Sequence, residues 1–312
     1  MEAGARALLA ANPDSGMLWK ILGVALHAQG ADALDALRNA ARCLPQDADS
    51  QFNLGVMLET RNDPVAAVEA YLAALRLAPT HDAALGNLLA LLPALESLED
   101  APACFRRIAL HLPLEADVHH ALGLALQRRG QWPAAIASYR EALRLRPGFV
   151  GAMSNLGNAE LALGNAREAQ VIYRRALELA PRHPGVLSNL GNAAMSLGQL
   201  EEAIEAYRAA LASDPGMAAA WSNLGEAQRR LGELSAAEAS CRRAVELAPA
   251  AAEAWVNLGN LQATMNRRSE AVESYRHAIG IAPTMARPLS VERGIERHWP
   301  PRRGVRLCLA LS

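Results

Sequence analysis

Apolar residues recur along this chain in paired helical stripes, and the pairs themselves recur every 34 residues. Within each block, apolar positions three and four apart fill two stretches, the spacing of an amphipathic helix and not the alternation of a strand. A turn residue separates the stretches: Asn62, Gly130, Gly164, Gly198, Gly232 or Asn266. A proline closes each block: Pro79, Pro113, Pro147, Pro181, Pro215, Pro249 or Pro283. Glycine and asparagine tolerate the left-handed backbone of a tight helix exit, and proline does not continue a helix. The predicted unit is a helical hairpin repeated about eight times, stacked so that neighbours bury one another's apolar faces.

The register is regular over units 48–81, 82–115, 116–149, 150–183, 184–217, 218–251 and 252–285. A first unit, 14–47, opens with Trp19, Leu22 and Gly23 and closes at Pro45; Gly23 lies 32 residues before Gly55, which predicts an inter-helix turn two residues short. Residues 1–13 read as a half-repeat or N-terminal cap. In unit 82–115, Leu89 replaces the usual glycine, Glu96 replaces the turn residue, and Pro93 falls near the end of the first helix. A kink or shortened helix is expected there, either a hinge between 14–115 and 116–283 or drift absorbed by the stack. The pattern stops after Pro283. The tail 286–312 is arginine-rich, with Val291, Ile295 and Trp299 at helical spacing and Val305, Leu307, Leu309 and Leu311 alternating. Three readings of it stand: a short capping helix, the truncated or frame-shifted end of a longer protein, or a basic arm for nucleic acid, the least favoured.

The most repeated string is Ser154-Asn155-Leu156-Gly157-Asn158, echoed at 188–192, 222–226 and 256–260. Turned by about 100° per residue, Met153, Leu156, Gly157 and Glu160 share one arc, the packing side. On the second helix Ala169, Tyr173 and Ala176 mark the complementary face, with alanines admitting close neighbours and the ring filling the space between hairpins. Asn155 and Asn158 lie about 150° from the centre of the packing arc. The first column they define is Asn53, Asn87, Asn155, Asn189, Asn223 and Asn257, interrupted by Ala121; the second is Asn158, Asn192 and Asn260. Asparagine is a mediocre helix former, so propensity does not favour it there. Its amide both donates and accepts, which matches a peptide group. Helices about 10 Å apart would meet an extended chain advancing about 3.3 Å per residue once every three residues or so. These asparagines are therefore candidate peptide-binding residues; the alternative is that asparagine is a common, harmless choice in such a repeat, or that it bridges adjacent repeats.

The string Trp/Leu–x–x–Leu-Gly, Gly, Ala, Tyr, Ala, Pro at this spacing resembles the tetratricopeptide repeat over nearly all of residues 14–285. The resemblance implies an all-α, right-handed superhelical solenoid whose first helices line a concave surface that holds partner proteins. Cys241 in place of the aromatic, Leu89 and the shortened first unit depart from it. The asparagine column, with Tyr-Arg-Arg-Ala-Leu-Glu-Leu at 173–179 and Tyr-Arg-Glu-Ala-Leu-Arg-Leu at 139–145, is similar to the repeat region of O-linked N-acetylglucosamine transferases and their bacterial relatives. That resemblance implies an asparagine ladder for extended protein substrates, with the chemistry in a separate C-terminal glycosyltransferase region.

The asparagine column and the tetratricopeptide resemblance imply a protein or extended peptide as the partner. The net charge of −1 argues against nucleic acid or membrane as a bulk-charge partner. An arginine column, Arg106, Arg140, Arg174, Arg208, Arg242 and Arg276, reads as a solvated outer face paired with acids such as Glu205 and Glu273 three residues earlier, or as a phosphate stripe. The cysteines Cys43, Cys104, Cys241 and Cys308 share no short spacing, so neither a disulfide framework nor a zinc site is expected, and a cytoplasmic setting is. With no basic segment leading into a long apolar run after Met-Glu-Ala-Gly-Ala-Arg, a signal peptide is not expected, and the most apolar window, 88–95, is too short to span a bilayer. No phosphate loop, nucleophile elbow or His-Glu-x-x-His string occurs. His119 and His120 are adjacent and so face different sides of a helix. No cofactor and no enzymatic activity are expected of this chain as it stands.

Overall fold

The computed structural model describes residues 2–282. They form helices throughout, as the periodicity predicts, with no strand among the described residues. The closing Pro283, the proposed capping helix, the alternating stretch 305–311 and Cys308 lie outside the described residues.

The chain divides into two compact units between Leu163 and Gly164. The first holds α1 (Glu2–Ala11) and then four hairpins: α2 (Gly16–Ala28) with α3 (Leu34–Cys43), α4 (Ala48–Thr60) with α5 (Pro64–Leu77), α6 (Asp82–Leu95) with α7 (Ala101–His111), and α8 (Ala116–Arg128) with α9 (Trp132–Leu145). It ends on α10 (Val150–Ala162). The second unit opens on α11 (Ala166–Leu179). Three hairpins follow: α12 (Pro184–Ser196) with α13 (Leu200–Ser213), α14 (Ala218–Leu231) with α15 (Leu234–Leu247), and α16 (Ala252–Thr264) with α17 (Arg268–Ile281). Within each unit, first helices also touch the first helix of the next repeat: α2 with α4, α6 with α8 and α8 with α10; then α12 with α14 and α14 with α16. The first helices thus form a row within each unit.

The turns follow the sequence pattern. Asn62 and Asn266 are the non-glycine residues with positive φ, and Gly130, Gly164, Gly198 and Gly232 share that conformation. Gly30 does too, at φ 68°, which corrects the reading of the first unit. The turn is not short: five residues, 29–33, link α2 to α3 where three, 61–63, link α4 to α5, and the loss falls on α3, 10 residues long where α5 has 14. Asp32 compensates by accepting from the Leu34 N–H at 3.1 Å. Unit 82–115 shows the reverse case. α6 runs its full 14 residues through Pro93. Glu96, unlike glycine, stays right-handed at φ −61°. The tight exit is not made, α7 begins late, and it is 11 residues long. The expected shortening therefore falls on the second helix, because a side chain at the exit disfavours the left-handed turn.

Except in α6/α7, where Leu89 replaces it, the hairpins close on a glycine of the first helix set against the second. A Cβ added at Gly191 would stand 2.6 Å from the Tyr207 ring, and at Gly55 2.5 Å from Tyr71. Gly259 faces Tyr275 in the same way, while Gly225 faces Cys241 and the backbone of α15, with the Ala237 carbonyl at 3.3 Å. The smaller thiol in place of a ring lets α14 and α15 approach backbone to backbone. Alanines four before and three after each tyrosine, such as Ala203 and Ala210 about Tyr207, are buried. The aromatic at the start of several first helices secures the inter-repeat loop. Trp19, Trp221 and Trp255 each donate Nε1–H to the carbonyl of the proline six residues earlier, at 2.7, 2.9 and 2.9 Å. His119 reaches Pro113 the same way, at 3.0 Å.

Gly191→Ala should destabilise the second unit by about 1–3 kcal/mol, since the ring it meets is fully enclosed. Gly86→Ala, with open space around its Cβ in mid-helix, should instead stabilise by about 0.5–1 kcal/mol. Urea unfolding midpoints of the two variants check both signs.

Candidate functional site

The candidate asparagines all sit on first helices: Asn53 on α4, Asn87 on α6, Asn155 and Asn158 on α10, Asn189 and Asn192 on α12, Asn223 on α14, and Asn257 and Asn260 on α16. All are partly exposed, neither core nor free surface. Asn53, Asn87, Asn155 and Asn158 belong to the first unit and the others to the second.

Much of each column is spent inside the protein. In the first column an amide N–H usually reaches back toward the preceding repeat. Asn87 Nδ2 donates to Tyr71 Oη at 3.1 Å, Asn223 Nδ2 to Asn192 Oδ1 at 2.9 Å, and Asn257 Nδ2 to Ser222 Oγ at 2.9 Å. Asn155 Nδ2 lies 2.9 Å from His120 Nε2. The amide donates, so that ring nitrogen accepts and the ring is neutral with its proton on Nδ1. Asn189 and Asn158 make interactions of their own. The bridging alternative thus describes one N–H of the amide in four repeats. The amide oxygens of Asn223 and Asn257 accept no hydrogen bond among the described residues, and Asn53 makes none with its side chain.

The second column has a different task. Burial raises the pKa of the tyrosine hydroxyls well above their ordinary value, and a buried hydroxyl needs a partner. Tyr207 Oη donates to Asn192 Oδ1 at 2.7 Å, and Tyr275 Oη to Asn260 Oδ1 at 2.8 Å, each fifteen residues apart. Val56 and Leu124 occupy that position before Tyr71 and Tyr139. There the hydroxyls turn to Glu59 at 2.7 Å and Gln127 at 2.8 Å, twelve residues before them. Where Cys241 replaces the tyrosine, Glu226 stands in the second column and bonds Arg229 at 2.8 Å instead. Burial pushes the Cys241 thiol up to about 12, so it is an unreactive packing group. Reading each column by itself missed this pairing, although the fifteen- and twelve-residue offsets were present in the sequence.

The arginine column also departs from expectation. Arg140, Arg174 and Arg208 reach forward to the next repeat, to Glu160 at 2.9 Å, Glu202 at 2.6 Å and Glu233 at 3.8 Å, in place of acids three residues earlier. Arg242 pairs with Glu238, four before it. These arginines are largely exposed, and such pairs contribute little, about 0–1 kcal/mol each. No group of three or more His, Cys, Asp or Glu side chains is arranged to hold a metal among the described residues. No helix there is long and apolar enough to cross a membrane.

Three comparisons place this architecture. Residues 149–282 match the family model of the cilia and flagella-associated protein 70 C-terminal domain, 123–164 a TPR repeat model and 29–82 a tetratricopeptide repeat model. No curated protein matches the chain. Among solved structures, the APC/C hetero-tetramer Cut9-Hcn1 aligns at TM-score 0.61 and 18% identity over 91% of this chain. The chain spans 56% of that structure's chain. TTC0263, a thermophilic TPR protein of Thermus thermophilus, aligns at TM-score 0.49 and 27% identity, covering 54% of this chain and 92% of that one. YrrB, a TPR protein described as having an unusual peptide-binding site, aligns at 0.46 and 23% over 57% and 92%.

Two outcomes test this geometry. Asn192→Ala strips Tyr207 of its acceptor and should cost about 1–3 kcal/mol, more than Asn223→Ala, whose partner Asn192 Oδ1 keeps the Tyr207 hydroxyl; denaturation of both variants checks the order. His120, packed against Phe149 at 4.7 Å between ring centroids, has its pKa lowered below 6.5, first by burial, with Arg146 adding to the effect and Asp117 opposing it. The unfolded chain therefore takes up the proton first. Stability should be full above pH 6.5 and decline as pH falls below it. The urea midpoint of the first unit's transition should drop between about pH 7.5 and 5.5, and less so in His120→Gln.

Proposed function

We propose that this tetratricopeptide-repeat protein is an interaction scaffold that holds an extended peptide segment of a partner protein along the first helices of its repeats. TPR proteins generally act as protein-interaction scaffolds, and typically not as enzymes. The observation that carries the finer reading is the asparagine column itself: partly exposed amides at a 34-residue period. Asn223 and Asn257 are each oriented by one intramolecular bond and keep their oxygens available. An amide held by one N–H and open at its oxygen is pre-organised to accept from a peptide N–H, which lowers the ordering cost of binding. Contact to backbone recognises an extended conformation with little regard to sequence; side chains on either flank set preference.

The same column supports a second reading, because it is what resembles the O-linked N-acetylglucosamine transferases: the substrate-recognition region of a glycosyltransferase whose catalytic region is missing here. A genomic reading frame beyond codon 285 that resumes a two-lobed sugar-nucleotide-binding region would favour it.

The scaffold reading is tested with Asn223→Ala/Asn257→Ala, chosen because neither asparagine holds a tyrosine hydroxyl. Two neutral hydrogen bonds at about 0.5–1.5 kcal/mol each predict roughly tenfold weaker binding across a peptide array, with the helix content unchanged. Full retention of binding by the double variant overturns the ladder.

A further inference from the structure

At the N-terminal end of the row the register is kept but its chemistry changes. Ile21 of α2 takes the place that Asn53 has on α4, 32 residues later, and Val24 and Val56 share the second column. One turn earlier, Met17 aligns with Asp49. Met17, Ile21 and Val24, at i, i+4 and i+7, are 57%, 38% and 47% exposed, a continuous apolar stripe with Ile21 where six of the seven following repeats carry the first-column asparagine. α4 lies against α2 and puts carboxylates beside it. Asp47 and Asp49 share a single ammonium, Lys20 Nζ, at 2.7 and 3.3 Å, and the Asp49 side chain remains 67% exposed. Its other oxygen stands 3.6 Å from His81 Nε2. Two carboxylates against one lysine leave a net negative charge on the margin of the stripe. An anionic membrane surface would be repelled by that margin, whereas a cationic peptide gains from it.

Resting on the peptide-scaffold reading, we infer that α2 and α4 form a specificity site for a cationic–aliphatic segment of the partner, its aliphatic side chains on Met17, Ile21 and Val24 and a lysine or arginine against Asp49. The asparagines grip backbone and confer little discrimination; this end of the row supplies it, by apolar burial and by charge. The site takes a peptide in which aliphatic and basic residues adjoin, and disfavours the same peptide with acidic residues in place of basic ones.

The test is fluorescence polarisation of the full chain with three labelled twelve-residue peptides: Ala-Leu-Lys, Ala-Leu-Glu and Ala-Ser-Lys, each repeated four times. The Leu/Lys peptide should bind at least about tenfold more tightly than either other one. Met17→Ser/Ile21→Asn/Val24→Ser combined with Asp49→Asn, all at exposed positions, should abolish that preference with helix content retained by circular dichroism. Asn53→Ala/Asn87→Ala, in the same unit as the site and within reach of a twelve-residue peptide, should weaken all three peptides alike. Equal affinity of the three peptides for the unaltered chain, undiminished preference in the fourfold variant, or no binding of the Leu/Lys peptide overturns the site. Equal affinities that still fall in the asparagine variant overturn this site and leave the scaffold reading standing.

Discussion

The contact on which the rest of this structure depends is a bare glycine of the first helix set against the ring of the second. It brings the two helices of a hairpin closer than any side chain would allow, as at Gly191 and Tyr207. It also encloses a tyrosine whose hydroxyl must then be satisfied. The close approach provides the packing, and the hydroxyl dictates which polar residue stands at a fixed offset on the opposite helix.

That second requirement changes the meaning of the asparagines. Asn192 and Asn260 are partners of buried tyrosines. Glu59 and Gln127 do the same work where the asparagine is lacking. Asn223 and Asn257 tie neighbouring first helices together by one N–H. The same amides that line the row of first helices therefore also build it. This double use restricts which positions serve as clean probes of binding: those whose loss leaves no enclosed hydroxyl without an acceptor.

Departures from the repeat are where local chemistry shows most plainly. Glu96, lacking glycine's freedom at the helix exit, delays α7, and the shortened first hairpin loses its residues from α3 while Gly30 keeps the turn. Cys241 gives up the ring and gains backbone contact between α14 and α15. At Ala121 the first column is interrupted, yet the neighbouring His120 supplies the acceptor that Asn155 uses. In each case the stack absorbs the change because a repeat contacts mainly its neighbours, and the adjustment stays local.

The 34-residue period, the helical spacing of apolar positions, the turn glycines and asparagines and the closing prolines determined by themselves that this chain forms stacked helical hairpins, because each is a local property of backbone conformation or of one helix face. They also singled out the asparagine column. What that column bonds to was decided only by the tertiary structure. Partners such as Ser222, Asn192 and His120 lie 31 to 35 residues away and come within hydrogen-bonding reach only when neighbouring hairpins dock. The same docking set Lys20 of α2 against the Asp49 carboxylate of α4 and the arginines on the acids of the following repeat. A helical wheel places a residue on one face of one helix; which atoms stand opposite it is fixed by the helix that arrives from the next repeat.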